Sequence, residues 1–194
     1  MTLVEYSPSL AEALSQRLGI KVVVGSLESC KVPEAEAVAF FSFHVVEHVT
    51  DPVKHLAAGL RAVRPGSYGF IATPNAKSYQ QRLSRRLSPN FDSAHLRVFS
   101  PESLKECCLA AGWQIIDVET PEFTLDWMRV ASKLMRKLRR ENESSTAGKY
   151  AVVGFSRYSW IVRFFALLTL PLRFLQCRVK GGNEVFIVVR SPLF

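Results

Sequence analysis

Apolar residues recur along the chain in short runs that alternate with amphipathic stretches. Ser7-Pro8, Asp51-Pro52 and Ser100-Pro101 each place an N-cap residue before a proline, which favours the start of a helix. After each start, apolar residues repeat every three or four positions and a glycine follows. β-Branched or aromatic runs separate these stretches. The alternation predicts an α/β fold, with a mostly parallel sheet and helices on its faces.

The most informative part of the pattern is a strand–helix–strand unit over Val38–Asn75. The continuous apolar run Val38–Phe43 predicts a strand that is covered on both faces. The helix is predicted to end at Pro65-Gly66. Polar residues gather at 44–48, directly after the first strand, and ligands of open α/β sheets bind at such strand ends. The six predicted strands are Thr2–Glu5, Ile20–Val24, Val38–Phe43, Tyr68–Thr73, Trp113–Val118 and Glu184–Val189.

The size and composition of the chain predict one globular domain. It has 194 residues and a hydrophobic share of 48%, enough to bury a core. We expect a core over 1–120, a basic, hydrophobic helical insertion over 121–180 and the last strand in 181–194.

The four cysteines lack Cys-x-x-Cys spacing and indicate reduced, buried thiols. Because the N-terminus lacks the layout of a secretion signal, a cytoplasmic location is expected.

The net charge of +8 originates from one segment. Residues 121–180 hold 12 of the 25 Lys and Arg but only 4 of the 17 Asp and Glu. Three interpretations stay open: a solvated face with a helix packed on the sheet, contact with an anionic membrane surface, or binding of nucleic acid. The aromatic residues cluster with aliphatic ones instead of alternating with basic ones, which disfavours nucleic acid. The surface of Trp160–Gln176 could also pair two copies in a homodimer.

Two further stretches carry expectations of their own. The polar, basic connection 76–99 is long for a simple link, which favours a lid or substrate loop. An amphipathic helix is predicted over 125–140. The apolar run Trp160–Gln176 contains arginines and a proline, so it is not expected to span a membrane.

Four pieces of the sequence resemble class I S-adenosylmethionine-dependent methyltransferases, and they occur in the order of that family. The resemblance covers about residues 2–119 and the final strand. Its most specific piece is Glu47-His48-x-x-Asp51-Pro52. The pieces are Val4-Glu5-Tyr6-Ser7-Pro8, Val24-Gly25-Ser26-Leu27, His44-Val45-Val46-Glu47-His48-Val49-Thr50-Asp51-Pro52 and His95-Leu96-Arg97-Val98-Phe99-Ser100.

The sequence also departs from the family pattern, which begins with a strand, a Gly-x-Gly-x-Gly loop and a helix. This chain contains no Gly-x-Gly, so the resemblance implies a Rossmann-like sheet without its first strand and helix, as in an N-terminally truncated member. The absent strand would lie in the middle of the sheet. Its neighbours, the strands at 2–5 and 38–43, must then either pair directly or leave a gap with unpaired backbone groups.

The resemblance implies S-adenosylmethionine as the cofactor and methyl transfer to a small or lipid-linked acceptor, with oxygen as the expected atom. Glu5 would accept hydrogen bonds from the ribose hydroxyls, because a carboxylate presents two acceptor oxygens. A hydroxyl acceptor benefits from a general base, and the candidates by residue type are His44, His48 and His95. The implied cofactor-binding residues are Glu5, Tyr6, Ser26, Leu27, Phe43, His44 and Glu47.

Each of these assignments has a structural alternative. Glu5 could be a solvated acid at a strand end, and Ser26 part of a simple turn. His44, Glu47 and His48 could bind a transition metal, but bracing of the following helix is the favoured interpretation and no metal site is predicted. His95 could pin the 76–99 connection. The alternative for the whole protein is a non-catalytic or truncated methyltransferase-like module that binds a partner or a membrane surface without turnover.

Overall fold

The computed structural model describes residues 1–83, 94–122 and 159–193. All six predicted strands and the three helices that begin at Ser/Asp-Pro are confirmed, and the order is that of an α/β protein. The helix predicted over 125–140 lies outside the described residues. In chain order the elements are β1 Thr2–Glu5, α1 Pro8–Leu18, β2 Lys21–Val24, β3 Ala37–Phe43, α2 Pro52–Ala62, β4 Val63–Pro74, α3 Tyr79–Leu83, α4 Pro101–Ala110, β5 Gln114–Glu119, α5 Ser159–Arg178 and β6 Glu184–Arg190.

The first two helices begin and end as their local sequence predicts, with one exception. The side chain of Asp51 accepts a hydrogen bond from the Lys54 amide at 3.0 Å, which caps α2. Gly19 ends α1 with a φ of +63°, a backbone conformation that glycine adopts without a steric penalty. The predicted end of α2 at Pro65-Gly66 is wrong, because α2 ends at Ala62 and β4 begins at Val63.

Pro65-Gly66 lies inside β4 because the last residues of the chain pair with that stretch. The Gly66 amide donates to the Pro192 carbonyl at 3.1 Å, and the Ser191 hydroxyl donates to the Arg64 carbonyl at 2.8 Å. These bonds keep the stretch in the sheet, although Gly66 has a φ of +78° and the pairing of β4 with β3 shifts register between Val63 and Tyr68. Partners more than a hundred residues away therefore hold the local turn inside the strand as an irregularity.

The strands form two separate sheets, one with the order β1-β2 and one with the order β3-β4-β6-β5. β1 and β2 run parallel, and so do β3 and β4. β4 and β6 run antiparallel, since Gly66 bonds with Pro192 and Ser67 with Ser191, so that the partner number falls as the β4 number rises. The larger sheet is mixed, and the prediction of a mostly parallel sheet is not confirmed.

β1 and β3 do not pair with each other in the described part of the chain. Of the two arrangements expected for a sheet that lacks a middle strand, direct pairing is therefore not the one observed. The edges of β1 and β3 that face away from their partners β2 and β4 make no ladder with any strand that the structure describes. Unpaired edges of this kind are templates for a further strand.

The core around β3 and α2 is built from aromatic rings on one face of the sheet. The indole of Trp113 stacks on Phe40 with ring centroids 6.1 Å apart, and its Nε1 donates to the Leu56 carbonyl at 2.9 Å. On the opposite face Phe41 is 63% exposed and Phe43 is 49% exposed. The prediction that β3 is covered on both faces is therefore wrong for the described residues, because α2 packs on one face only.

The chain divides into two compact units. One contains residues 1–72, 102–118 and 187–194, and the other contains residues 73–101 and 119–186. Organisation as a single domain stays a prediction. Among the described residues, no helix combines the length and the apolar composition that a bilayer-spanning segment needs.

Candidate cofactor and catalytic site

Glu5 ends one predicted strand and Ser26 follows another, and the structure places these two strands side by side and parallel. Glu5, the last residue of β1, pairs with Val24 of β2. The Gly25 amide donates to the Glu5 carbonyl at 3.0 Å, which joins the two strand ends. Ser26 and Leu27 follow directly, so the β1 carboxylate and the β2 turn share one edge of this sheet.

The carboxylate of Glu5 is held in place by its own chain. Its Oε1 accepts a hydrogen bond from the Ser7 amide at 2.9 Å, at the start of α1. Its Oε2 accepts no hydrogen bond from any residue that the structure describes. Because the side chain is only half-buried, one carboxylate oxygen remains open to a ligand.

The β2 turn also has the geometry of its structural alternative. The Ser26 carbonyl accepts from the amides of Ser29 and Cys30, and the Ser26 hydroxyl lies 2.9 Å from the Ser29 hydroxyl. Serine is therefore already engaged in a tight turn. The neighbouring Tyr6 is 80% exposed. This exposure fits both a residue that contacts a ligand and a residue that faces solvent.

Leu27 lines a small cavity together with Ala58 and Arg61. The cavity has a volume of about 50 Å³, well below the roughly 300–1,000 Å³ of typical small-molecule sites. It is therefore too small to be the binding site of a nucleoside.

His44, Glu47 and His48 come together in the turn after β3. His44 has a φ of +53°, uncommon for a residue with a side chain, and its amide is held by the Ala72 carbonyl at 2.9 Å. Its Nδ1 lies 3.4 Å from Oε1 of Glu47, and the two side chains are 50% and 1% exposed. A buried carboxylate thus faces one ring nitrogen, while the imidazole itself reaches solvent.

This pairing determines which nitrogen of His44 can act as a base. A carboxylate beside Nδ1 favours the tautomer with the proton on Nδ1, which leaves the lone pair on Nε2. His48 is exposed and its amide bonds to the Val45 carbonyl at 2.9 Å within the same turn. Phe43 precedes the turn and is half-exposed.

His95 lies in the other compact unit, in an irregular stretch before Phe99. It is half-buried. The structure thus brings together Glu5 with Ser26 and Leu27, and His44 with Glu47 and His48. These two groups follow strands of different sheets.

One polar group was missed by the sequence analysis. Ser42 Oγ lies 3.1 Å from Nε2 of His55, and Nδ1 of His55 lies 3.4 Å from Oε1 of Glu28. Burial lowers the pKa of His55, and the charge of Glu28 opposes that effect. The available signal was a histidine beside Leu56 on the apolar face of α2. Because Ser42 and His55 are both buried, this is a structural network and not a nucleophile open to substrate.

Comparison with known proteins identifies the family. Residues 1–118 match the family model described as a methyltransferase domain. A protein of Mycolicibacterium smegmatis named "Probable S-adenosylmethionine-dependent methyltransferase" is 27% identical over 93 residues. That alignment covers 48% of this chain and 35% of the relative, so it spans only about a third of the relative's length.

Solved structures of methyltransferases share the fold. An S-adenosylmethionine-dependent methyltransferase from Thermotoga maritima has a TM-score of 0.60 at 16% identity, covering 98% of this chain and 72% of that one. A phosphoethanolamine N-methyltransferase from Haemonchus contortus, solved with phosphomonomethylethanolamine and S-adenosylhomocysteine, has a TM-score of 0.57 at 15% identity, with coverages of 98% and 43%. The proteins of Mycolicibacterium smegmatis and Thermotoga maritima are named as dependent on S-adenosylmethionine, and a second structure of the Haemonchus contortus enzyme holds S-adenosylmethionine. The family model matches more than half of the length of this chain, so the chain belongs to the methyltransferase-domain family.

Proposed function

We propose that this chain binds S-adenosylmethionine at the edge formed by β1 and β2 and transfers its methyl group to an oxygen acceptor. The observation that carries the proposal is the Glu5 carboxylate, oriented by the Ser7 amide with its other oxygen open. It stands directly beside the turn after β2. A carboxylate in this position can accept hydrogen bonds from the two adjacent hydroxyls of a ribose, so the residues present fit the cofactor.

His44 is the proposed general base. When bound, the cofactor supplies an electrophilic methyl group on its sulfonium. His44 would take up the hydroxyl proton of the acceptor on Nε2 when that oxygen is methylated. Glu47 beside Nδ1 stabilises the imidazolium that results.

The proposed acceptor is a small or lipid-linked hydroxyl compound. His44 is half-exposed, and Phe43 beside it is an apolar, half-exposed ring. An open, partly apolar approach to the base suits an amphipathic acceptor better than a small ion.

A second candidate function is a methyltransferase-like module that binds a partner without turnover. It is favoured by the two unjoined sheets and by the exposed rings of Phe41 and Phe43. A further strand with its helix would pair the free edges of β1 and β3 and cover these rings. In this interpretation the chain binds the cofactor only after another polypeptide segment completes the sheet.

Calorimetric titration with S-adenosylhomocysteine, the demethylated product, tests the cofactor site. We expect binding to the native chain and a loss of about ten- to a hundredfold in affinity for Glu5→Gln, the loss typical of a hydrogen bond to a charged group. Glu12→Gln is the matched control, since Glu12 is an exposed carboxylate on α1. Absence of binding to the native chain would reject the first candidate and favour the second.

Methyl transfer from radiolabelled S-adenosylmethionine to a panel of phenolic and lipid-linked hydroxyl compounds tests the base. His44→Gln should lower kcat by about 10²–10⁴-fold, the usual contribution of a general base, without changing the affinity for S-adenosylhomocysteine. His48→Gln, in the same turn but exposed, should retain turnover. Equal losses in both variants would assign the effect to the turn and not to proton transfer.

A further inference from the structure

The helix α5 carries an exposed apolar stripe. At 3.6 residues per turn, six large apolar side chains of this 20-residue helix fall within about 120° of its circumference. All six are between 58% and 70% exposed, so no described residue covers them. They are Trp160, Phe164, Leu167, Leu168, Phe174 and Leu175.

The charged residue between Arg163 and Arg178 in the helix is turned away from this stripe. Arg173 lies on the opposite side, where its Nη2 donates to the Ala166 carbonyl at 2.9 Å and its Nε to the Thr169 hydroxyl at 3.3 Å. Gln176, also on that side, is buried. Among the described side chains, the helix thus has a packed side that carries these polar groups and an open side that is apolar.

Basic residues flank the stripe, and the sequence on either side of it holds no acidic residue for many positions. Arg163 lies at one border of the stripe, and the guanidinium of Arg178 lies 5.2 Å from the ring centroid of Phe174 at its end. Lys180 follows two residues later. No Asp or Glu occurs between Glu143 and Glu184. An apolar stripe bordered only by cations matches a surface that presents hydrocarbon beneath anionic headgroups.

We propose that α5 docks this protein on an anionic phospholipid membrane, lying in the plane of the interface with its stripe among the acyl chains. The arginines at its borders and Lys180 then face lipid phosphates. A second copy of the chain would also cover the apolar side chains, but two copies of this surface would bring cations together without counter-charges. The membrane supplies both the apolar layer and the negative charge, and it is the occupant that the charge pattern favours.

Co-sedimentation of the full chain with vesicles tests this proposal. We expect binding to vesicles of phosphatidylcholine with phosphatidylglycerol, and much weaker binding to pure phosphatidylcholine or in 1 M salt, where the screening length falls to about 3 Å. Leu167→Glu should weaken vesicle binding by about ten- to a hundredfold, the effect of withdrawing one leucine from hydrocarbon. Leu109→Glu is the matched control, because Leu109 is a half-exposed leucine on α4; it should bind like the native chain.

Two further measurements make the outcome decisive. Lipids brominated on their acyl chains should quench tryptophan fluorescence in the native chain, and the quenching should be lost in Trp160→Phe. Light scattering in the absence of lipid should show the same mass for the native chain and for Leu167→Glu. The proposal is overturned if anionic vesicles leave the chain in the supernatant, if Leu167→Glu binds as well as Leu109→Glu, or if a stable dimer dissociates on Leu167→Glu.

Discussion

Ser42 Oγ of β3 lies 3.1 Å from Nε2 of His55 on α2, and both side chains are buried. The other ring nitrogen faces the carboxylate of Glu28, in the turn after β2, at 3.4 Å. One imidazole therefore connects three segments that are distant in sequence. Because a buried polar group must find partners, these three residues help to determine how the segments pack.

This relationship predicts that acid destabilises the fold through His55. Burial lowers the pKa of His55 below its ordinary value of 6.5 despite the nearby Glu28 charge. The unfolded state therefore takes up the proton first, and the stability present above about pH 6.5 is lost as the pH falls through that value. Thermal unfolding between pH 7.5 and 5 should show a falling Tm.

The variant His55→Gln should remove this part of the pH dependence, since glutamine keeps hydrogen-bonding capacity but does not titrate in this range. His48→Gln replaces an exposed histidine and should keep the pH dependence of the native chain. If both variants follow the native profile, His55 is not the group responsible.

Gly59→Ala should destabilise the protein although alanine is the better helix former. A Cβ at Gly59 would lie 2.7 Å from ring atoms of Phe40, and that ring is held between Trp113 and His55. Overpacking costs about 1–3 kcal/mol, against a gain of about 1 kcal/mol in helix propensity. Urea unfolding should therefore show a net loss of up to about 2 kcal/mol.

The effect of Gly59→Ala on the free energy of unfolding should change when the Phe40 ring is removed. In a Phe40→Leu background the added methyl has room, and Gly59→Ala should be neutral or stabilising because only the helix propensity remains. An unchanged loss in that background would place the strain elsewhere.

Trp113→Phe should lower the free energy of unfolding by about 1–3 kcal/mol, because it removes a hydrogen bond and leaves a void. The lost bond joins the indole Nε1 of Trp113 to the Leu56 carbonyl, and Trp113 is only 2% exposed. Trp160→Phe, at an exposed position of α5, should change stability by no more than about 0.5 kcal/mol. Denaturant titration followed by far-UV circular dichroism compares the two, and similar effects would contradict the assignment of Trp113 to the core.

Cys108 should resist thiol reagents in the folded protein. Burial raises its pKa to about 12, so the thiolate is negligible at pH 8. The other three cysteines are partly exposed. Titration with a disulfide reagent should modify three thiols in the native chain and a fourth only in guanidinium, and Cys108→Ser should lack the fourth. Fast modification of all four would contradict the buried position.

Local sequence predicted the elements well where the determining contacts are short in range. The caps at Ser7 and Asp51 act within three residues, and the shared edge of Glu5 and Ser26 follows from the parallel pairing of successive strands. The placement of Pro65-Gly66 inside β4 depends on residues 190–192, which no local pattern contains.

The polar network of Ser42, His55 and Glu28 could not be predicted for the same reason, since each partner comes from a different segment. The antiparallel direction of β6 could not be predicted either, because an apolar run does not indicate whether a strand runs parallel or antiparallel to its neighbours. The open face of β3 was mispredicted because a continuous apolar run records which side chains prefer burial, and not whether a covering element is present.

The position of β6 has a consequence for the biosynthesis of the protein. β6 follows β4 and β5 in the sequence, yet it lies between them in the sheet. While the nascent chain is still on the ribosome, β4 and β5 lack the strand that joins them, and the sheet can close only after residues 184–190 have emerged. Until then the facing edges of β4 and β5 have no partner strand, and an unpaired edge is a template for pairing with another chain.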